Sequence, residues 1–481
     1  MVNFSPRHIG SLILKNSSFK QTILKNAFWL ALSEAVEKGA LFFLTVWLVR
    51  YFGPVGYGKW AFAMGFAGIF ATVGDFGLVN YAVRELSRER EEASRYIDNI
   101  IAVKTVLGLI SLSLLVLASR SLGKSPEVLR LLYILGFYAM ISTFSGFFHS
   151  VFRANQQMQY ETVCRAFHAL LVVIFVVAAI KARGSLFCIS AAYVMSAIVS
   201  LLFSIAFVRA YFVRFFFRID RVFFTKILKE VWPIGLAFVF IAGYYNVDTV
   251  MLSLMKTDAD VGWYNSAYRV LLFLLVLPSL LQAAFYPGMA GSFAVSKEKL
   301  CYVYDRFLKN TLVIASPICV FIMLNAENVT VGVYGQEFLP AARVLRILML
   351  SFLFASVGGV LANVLLSCNR QKMLMVVTGA SFAGNILLNY LWIPKFSYIG
   401  ASHATNLTRV FVIVAELCLI ARLGYTLSLK EYLTKGVKIV FALFIMVGAS
   451  WWLADVSIVG SAFLALAVYP CALHVVRGGR S

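Results

Sequence analysis

Long apolar runs, interrupted by short charged connections, set the pattern along this chain. Residues 131–152, 184–208, 270–296, 347–369, 373–394 and 456–476 contain no Asp, Glu, Lys or Arg. Each exceeds the roughly 18 residues that mark a membrane span. Strands of a membrane barrel alternate polar and apolar residues over about ten positions, and these runs do not. With no water in the bilayer core to satisfy the backbone, the runs must be helical. The pattern predicts helices at about 27–49, 59–79, 97–118, 128–152, 163–181, 186–208, 231–254, 268–291, 307–325, 343–366, 373–392, 398–421, 437–454 and 457–476. The expected fold class is all-α integral membrane, with about 14 transmembrane helices.

Composition agrees. Of 481 residues, 61% are hydrophobic and 14% are charged, against about 45–50% and 25% in soluble domains. A soluble enzyme, a disordered chain and a secreted disulfide scaffold are excluded. The seven Cys form no CxxC pair and no cluster with His, and read as small buried hydrophobes.

Charge adds an orientation. The net charge of +21, from 43 basic and 22 acidic residues, would suggest nucleic acid in a soluble protein. Here 28 of the 43 Lys and Arg fall in alternate connections, 12 fall in the others, and Lys38, Lys104 and Arg409 lie within helices. The positive-inside rule then places both termini in the cytoplasm of an inner (cytoplasmic) membrane, with no nucleic-acid partner. Residues 1–26 read as a cytoplasmic lead-in to an uncleaved first helix. The most basic connection, 209–230 (RAYFVRFFFRIDRVFFTKILKE), reads as an amphipathic linker lying on anionic membrane lipids.

That linker separates two halves that resemble each other. At an offset of 204, Gly58 meets Gly262, Trp60 meets Tyr264 and Ala63 meets Ala267; LRLL at 129–132 meets LRIL at 345–348; RANQQM at 153 meets SCNRQKM at 367. Six helices per half make the repeats parallel. The expected organisation is an N-terminal six-helix lobe (1–208), the linker (209–230) and a C-terminal six-helix lobe (231–421) around a central cavity. Two extra helices follow at 437–476. No connection exceeds about 22 residues, which leaves no room for an external catalytic domain.

The motifs then carry a resemblance. R-x-x-G-P-x-x-Y-G follows the first helix (Arg50, Gly53, Pro54, Tyr57, Gly58). D-x-G-L ends the second (Asp75, Gly77, Leu78), with Arg84-Glu85 next. D-x-x-M-L in the seventh stands ahead of V-G-x-Y (Asp248, Met251, Leu252, Val261, Gly262, Tyr264). Over most of its length the chain resembles the polysaccharide (O-antigen, Wzx-type) flippases of the multidrug/oligosaccharidyl-lipid/polysaccharide exporter superfamily. The resemblance implies a transporter, not an enzyme, that moves an undecaprenyl-diphosphate-linked oligosaccharide from inner to outer leaflet by alternating access. It implies no bound cofactor, with coupling to a proton or sodium gradient, and it makes the polysaccharide polymerase and chain-length machinery candidate partners. A multidrug antiporter of the same superfamily and a peptidoglycan-precursor flippase stand as alternatives; a membrane polymerase or ligase fits the short loops poorly.

Ionisable residues inside spans face a cavity or a partner, because they are costly in lipid. Glu34, Glu37 and Lys38 in the first helix form either a cavity-lining cluster, with Lys38 meeting the diphosphate, or a self-neutralised pair. Arg409, seven residues before Glu416, suits a phosphate or a lobe-internal contact. Lys104 faces the cavity or snorkels to the cytoplasmic surface. Asp75 caps a helix, pairs with an Arg such as Arg84, or faces the cavity, and Asp248 occupies a motif position in helix seven. His149, His168 and His403 are isolated. Pro278 and Pro317 are expected to kink helices eight and nine, and the Gly53–Gly58 segment to turn tightly.

Overall fold

The computed structural model describes residues 19–425, apart from positions 214, 217 and 294, together with the single position 443. The two helices expected at 437–476, and with them the last stretch of the chain and its first 18 residues, lie outside the described residues. Every described element is a helix: α1 (Phe19–Asp75), α2 (Leu78–Arg88), α3 (Ala93–Arg120), α4 (Pro126–Ala154), α5 (Met158–Lys181), α6 (Leu186–Tyr211), α7 (Arg221–Met255), α8 (Asp258–Leu274), α9 (Val276–Phe293), α10 (Lys297–Leu324), α11 (Ala326–Tyr334), a 3₁₀ turn (Gln336–Phe338), α12 (Ala341–Ser367) and α13 (Gln371–Arg422).

Ten helical segments are long and apolar enough to cross a membrane. Two of them hold two arms each. α1 leaves helical geometry only at Gly53 (φ 64°, ψ −177°), and Pro54 opens the second arm. α13 does so only at Ser397 (φ 49°, ψ −134°). Counted as arms, the described residues supply twelve crossing-length segments. Gly53 tolerates the left-handed φ for want of a Cβ, and proline suits a first helical turn. The turn expected over Gly53–Gly58 thus occupies one residue, and Gly58 is helical.

These helices are apolar without being buried. In the apolar window of α5 only 22% of residues are buried, and in that of α3 39%. On α3, Val106, Leu109, Ile110, Leu114 and Leu117 form one exposed stripe. Water would not tolerate such faces; lipid does. The protein is a multi-pass membrane protein.

The chain forms two compact units, Met1–Leu254 and Met255–Ser481. In the first, Tyr81, Tyr96, Phe147, Phe152, Ile227 and Val231 belong to one core. Most of α7 belongs to this unit and is seated closely in it. A Cβ on Gly77 (φ 79°) would stand 2.7 Å from Ile234 Cγ2, and one on Gly235 would strike the Phe76 ring. The D-x-G-L motif is therefore the close crossing of α7 over the α1–α2 corner. In the second unit, Met289, Tyr304, Phe307, Val360, Leu361 and Ile420 share a core, with Phe285 stacked on Phe307 at 4.8 Å.

The internal repeat shows in contacts as well as letters. Trp60 packs its ring on Tyr193 of α6, centroids 5.7 Å apart; its counterpart Tyr264 reaches Thr405 on the last arm of α13, 3.3 Å away. After α4, Gln156 (φ 55°) donates to Arg153 O at 3.0 Å and Gln157 to Phe152 O at 2.9 Å. After α12, Asn369 (φ 57°) donates to Leu366 O at 3.0 Å and Arg370 to Leu365 O at 2.9 Å. Both are the same left-handed helix stop.

Candidate charged site within the helices

The first arm of α1 carries three of the candidate residues. Glu34 and Lys38 pair at 3.0 Å, and their side chains are 41% and 48% exposed. Glu37 points elsewhere, to Arg165 on α5 at 3.0 Å. Arg165 also holds Glu161 at 2.8 Å. Glu161, with no exposed side-chain surface, accepts two bonds from Arg153, from Nε at 2.7 Å and from Nη2 at 2.6 Å. Arg153 ends α4 and Glu161 lies in the first turn of α5, so the left-handed stop between them folds the pair together. Glu37, Arg165, Glu161 and Arg153 thus form one chain of ion pairs, and Glu34–Lys38 forms a separate pair on the same arm. Glu161 at the centre of the chain is sealed, its partners are half-buried, and the Glu34–Lys38 pair is exposed.

Asp75 and Lys104 form a second, closed pair. The Lys104 side chain is completely buried, and its Nζ donates to Asp75 Oδ1 while lying 5.5 Å from the centre of the Phe144 ring. The snorkelling expected of Lys104 does not occur: Asp75 holds the ammonium inside. Nor does Asp75 pair with Arg84, which instead binds Glu85 and, at 2.7 Å, Glu230 of α7. Asp248 is buried on α7, two residues from Asn246, whose amide oxygen would face a Cβ on Gly65 of α1 at 3.3 Å.

Arg409 belongs to the second unit. It is half-buried and within electrostatic reach of Glu416 on its own helix. Glu416 is buried, and its Oε2 accepts no hydrogen bond from a described residue. Around the same helices the polar groups are neutral: Asn363 donates to Gln282 at 3.4 Å and to Gly359 O at 2.7 Å, and Asn389 to Asn385 at 3.0 Å.

Of the seven expected residues, the structure pairs Glu34 with Lys38, sends Glu37 to Arg165 and joins Asp75 to Lys104. The sequence reading missed Arg153, Glu161 and Arg165, counting both arginines as connection charges. The signal was present in the i,i+4 spacing of Glu161 and Arg165.

Two units of crossing-length helices with charges held among them define a polytopic membrane fold. Comparison with solved structures gives the same class. The chain matches a Lipid II flippase MurJ, in an inward closed conformation, with a TM-score of 0.74 at 17% identity, covering 93% of this chain and 96% of that one. It matches an inward-facing multidrug resistance MATE family transporter of the MOP superfamily with a TM-score of 0.57 at 16% identity, covering 87% and 99%. Residues 23–293 match the family described as polysaccharide biosynthesis protein, and residues 233–391 match the MatE family. The chain belongs to the polysaccharide biosynthesis protein family, and its fold is that of the multidrug/oligosaccharidyl-lipid/polysaccharide superfamily. Among relatives, a probable low-salt glycan biosynthesis flippase, Agl15 of Haloferax volcanii, is 24% identical over 171 residues, 35% of this chain and 36% of that protein, so that the match spans about a third of its length. An uncharacterized membrane protein, MJ1068 of Methanocaldococcus jannaschii, is 22% identical over 424 residues, 81% of this chain and 82% of that one.

Proposed function

We propose that this protein flips an undecaprenyl-diphosphate-linked oligosaccharide from the inner to the outer leaflet of the cytoplasmic membrane for surface polysaccharide assembly. The observation that carries the reading is the exposed Glu34–Lys38 pair. Glu34 and Lys38 are about half exposed in the middle of a spanning arm, while Lys104 and Glu161 are sealed. A charged pair in a span cannot face hydrocarbon, so it faces water or a polar substrate. An exposed ion pair is weak, with a median near 0–1 kcal/mol, so Lys38 can exchange Glu34 for a diphosphate at little cost. Arg409, with its forked guanidinium, is the second cation proposed for the diphosphate. The repeat supports alternating access by the two units, with both termini cytoplasmic. The substrate passes through chemically unchanged, and a polymerase with chain-length machinery would take it up.

The test is transport of a fluorescent lipid-diphosphate oligosaccharide in proteoliposomes. Lys38→Glu is expected to abolish it with the protein still inserted, and Lys38→Arg to keep part of it. Full transport by Lys38→Ala would remove Lys38 from substrate handling. A second reading, a peptidoglycan-precursor flippase, is favoured by the 0.74 TM-score with the Lipid II flippase. The same assay with a lipid-diphosphate muropeptide separates the two.

A further inference from the structure

We infer that the end of α6, the connection to α7 and the first turns of α7, together residues 209–232, form a docking face for anionic phospholipid headgroups. It is fastened on one side. Phe216 N–H donates to Asp98 Oδ1 at 3.0 Å and Asp220 N–H to Asn99 Oδ1 at 2.8 Å. Arg95 Nη2 meets Asp220 Oδ2 at 2.6 Å, and the Arg95 guanidinium lies 4.7 Å from the centre of the Phe223 ring. Asp98 and Asn99 are buried beneath it. Phe215 is buried against Phe148, centroids 5.7 Å apart. The first turns of α7 continue the seam, since Phe223, Ile227 and Val231 are all buried at four-residue spacing.

What this fastening leaves outward is of two kinds at once. Tyr211, Phe216, Ile219, Val222 and Trp232 are exposed by 71%, 62%, 65%, 79% and 57%. Between them stand the exposed cations Arg209, Arg218, Arg221, Lys226 and Lys229. Both helices that the segment joins are of crossing length, so it lies at a membrane surface whichever way the chain is oriented. A water-facing loop would not expose five large apolar side chains, and hydrocarbon would not accept five cations. Side chains that sink their apolar parts at the acyl boundary and place cations among phosphates satisfy both. The occupant is the anionic headgroup layer, by charge complementarity.

The experiment is native mass spectrometry of the full chain in detergent with phosphatidylglycerol and phosphatidylcholine in equal amounts. The protein is expected to retain phosphatidylglycerol preferentially. The triple variant Arg218→Gln/Arg221→Gln/Lys226→Gln spares every hydrogen bond and ion pair that fastens the segment, and its preference should fall about tenfold or more. Arg120→Gln/Lys181→Gln, which removes exposed cations at the ends of α3 and α5, should change it little. Independently of any variant, phosphatidylglycerol retained by the unaltered protein should decline as salt is raised. Unchanged retention in the triple variant, an equal loss in the control, or salt-insensitive retention would overturn the proposal. So would preference for a soluble poly-glutamate peptide over phosphatidylglycerol, which would make the face a protein-docking surface.

Discussion

The two units share a plan and differ in what they bury. At the same left-handed stop, 213 positions apart, the first unit builds its ion network and the second builds a hydrophobic one. Arg153 corresponds to Leu366, Glu161 to Leu374 and Arg165 to Thr378. Leu374 packs against the core that holds Phe307 and Leu361, where Glu161 accepts hydrogen bonds from Arg153. Polar contacts in the second unit run mainly through amides and hydroxyls, such as Gln282–Asn363 and Ser351–Asn406. The backbone stop therefore needs neither set of side chains. Buried ion pairs rarely stabilise more than well-packed hydrophobic residues do, so the charges of the first unit are better explained by what they act on than by folding.

The largest effect that could break this comparison is expected at Lys104. Lys104→Met alone leaves the Asp75 carboxylate without its cation, and removing one member of a buried pair costs about 3–5 kcal/mol. Thermal unfolding in detergent should show it, and Lys104→Met/Asp75→Leu should recover most of the loss. If the double variant is as unstable as the single, the pair is a folding element and the contrast with the second unit fails.

The next test transplants one unit's chemistry into the other. Arg153→Leu/Glu161→Leu/Arg165→Thr gives the first unit the residues of the second. Its stability should stay within about 1–2 kcal/mol of the parent, or rise, while Glu161→Gln alone should lose about 1–3 kcal/mol by weakening both charge-assisted bonds from the half-buried Arg153. Transport by the triple variant sharpens the point. Retained stability with lost transport assigns the network to function; retained transport makes it a dispensable packing alternative.

A smaller loss is expected where α7 crosses the α1–α2 corner. Gly235→Ala places a methyl in the Phe76 ring and should cost about 1–3 kcal/mol by overpacking. Gly291→Ala on α9, where nothing stands within 4 Å, should cost nothing measurable. Equal effects would mean that the close crossing is not what requires glycine.

The smallest effect concerns pH at the segment before α7. The Arg95 hydrogen bond holds the Asp220 carboxyl below its usual 3.8. A depressed carboxylate contributes its stabilisation fully above the unfolded value and loses it as pH falls through the folded one. Amide exchange at Phe216 and Asp220, corrected for its intrinsic pH dependence, should therefore be flat from about pH 7 to 5 and show reduced protection only below about pH 4. The α12–α13 stop of the second unit has no carboxylate between Ser367 and Gln371, so it should show no matching step.

The residue order alone determined the membrane class, most of the spanning helices over residues 19–425 and the Glu34–Lys38 pair. Each rests on local spacing: an apolar run as long as the bilayer is thick must be a spanning helix, and residues four apart on a helix must be neighbours. Only the tertiary structure decided the partners across helices. Lys104 goes to Asp75, 29 positions away, rather than to the surface, and Glu37 goes to Arg165, 128 positions away. Arg84 takes Glu230, and α7 packs with the unit before it, although the repeat in the sequence groups it with the unit after. Spacing along one helix fixes which face a charge occupies. Which opposite charge stands across from that face depends on how helices distant in sequence pack, and no local pattern encodes it.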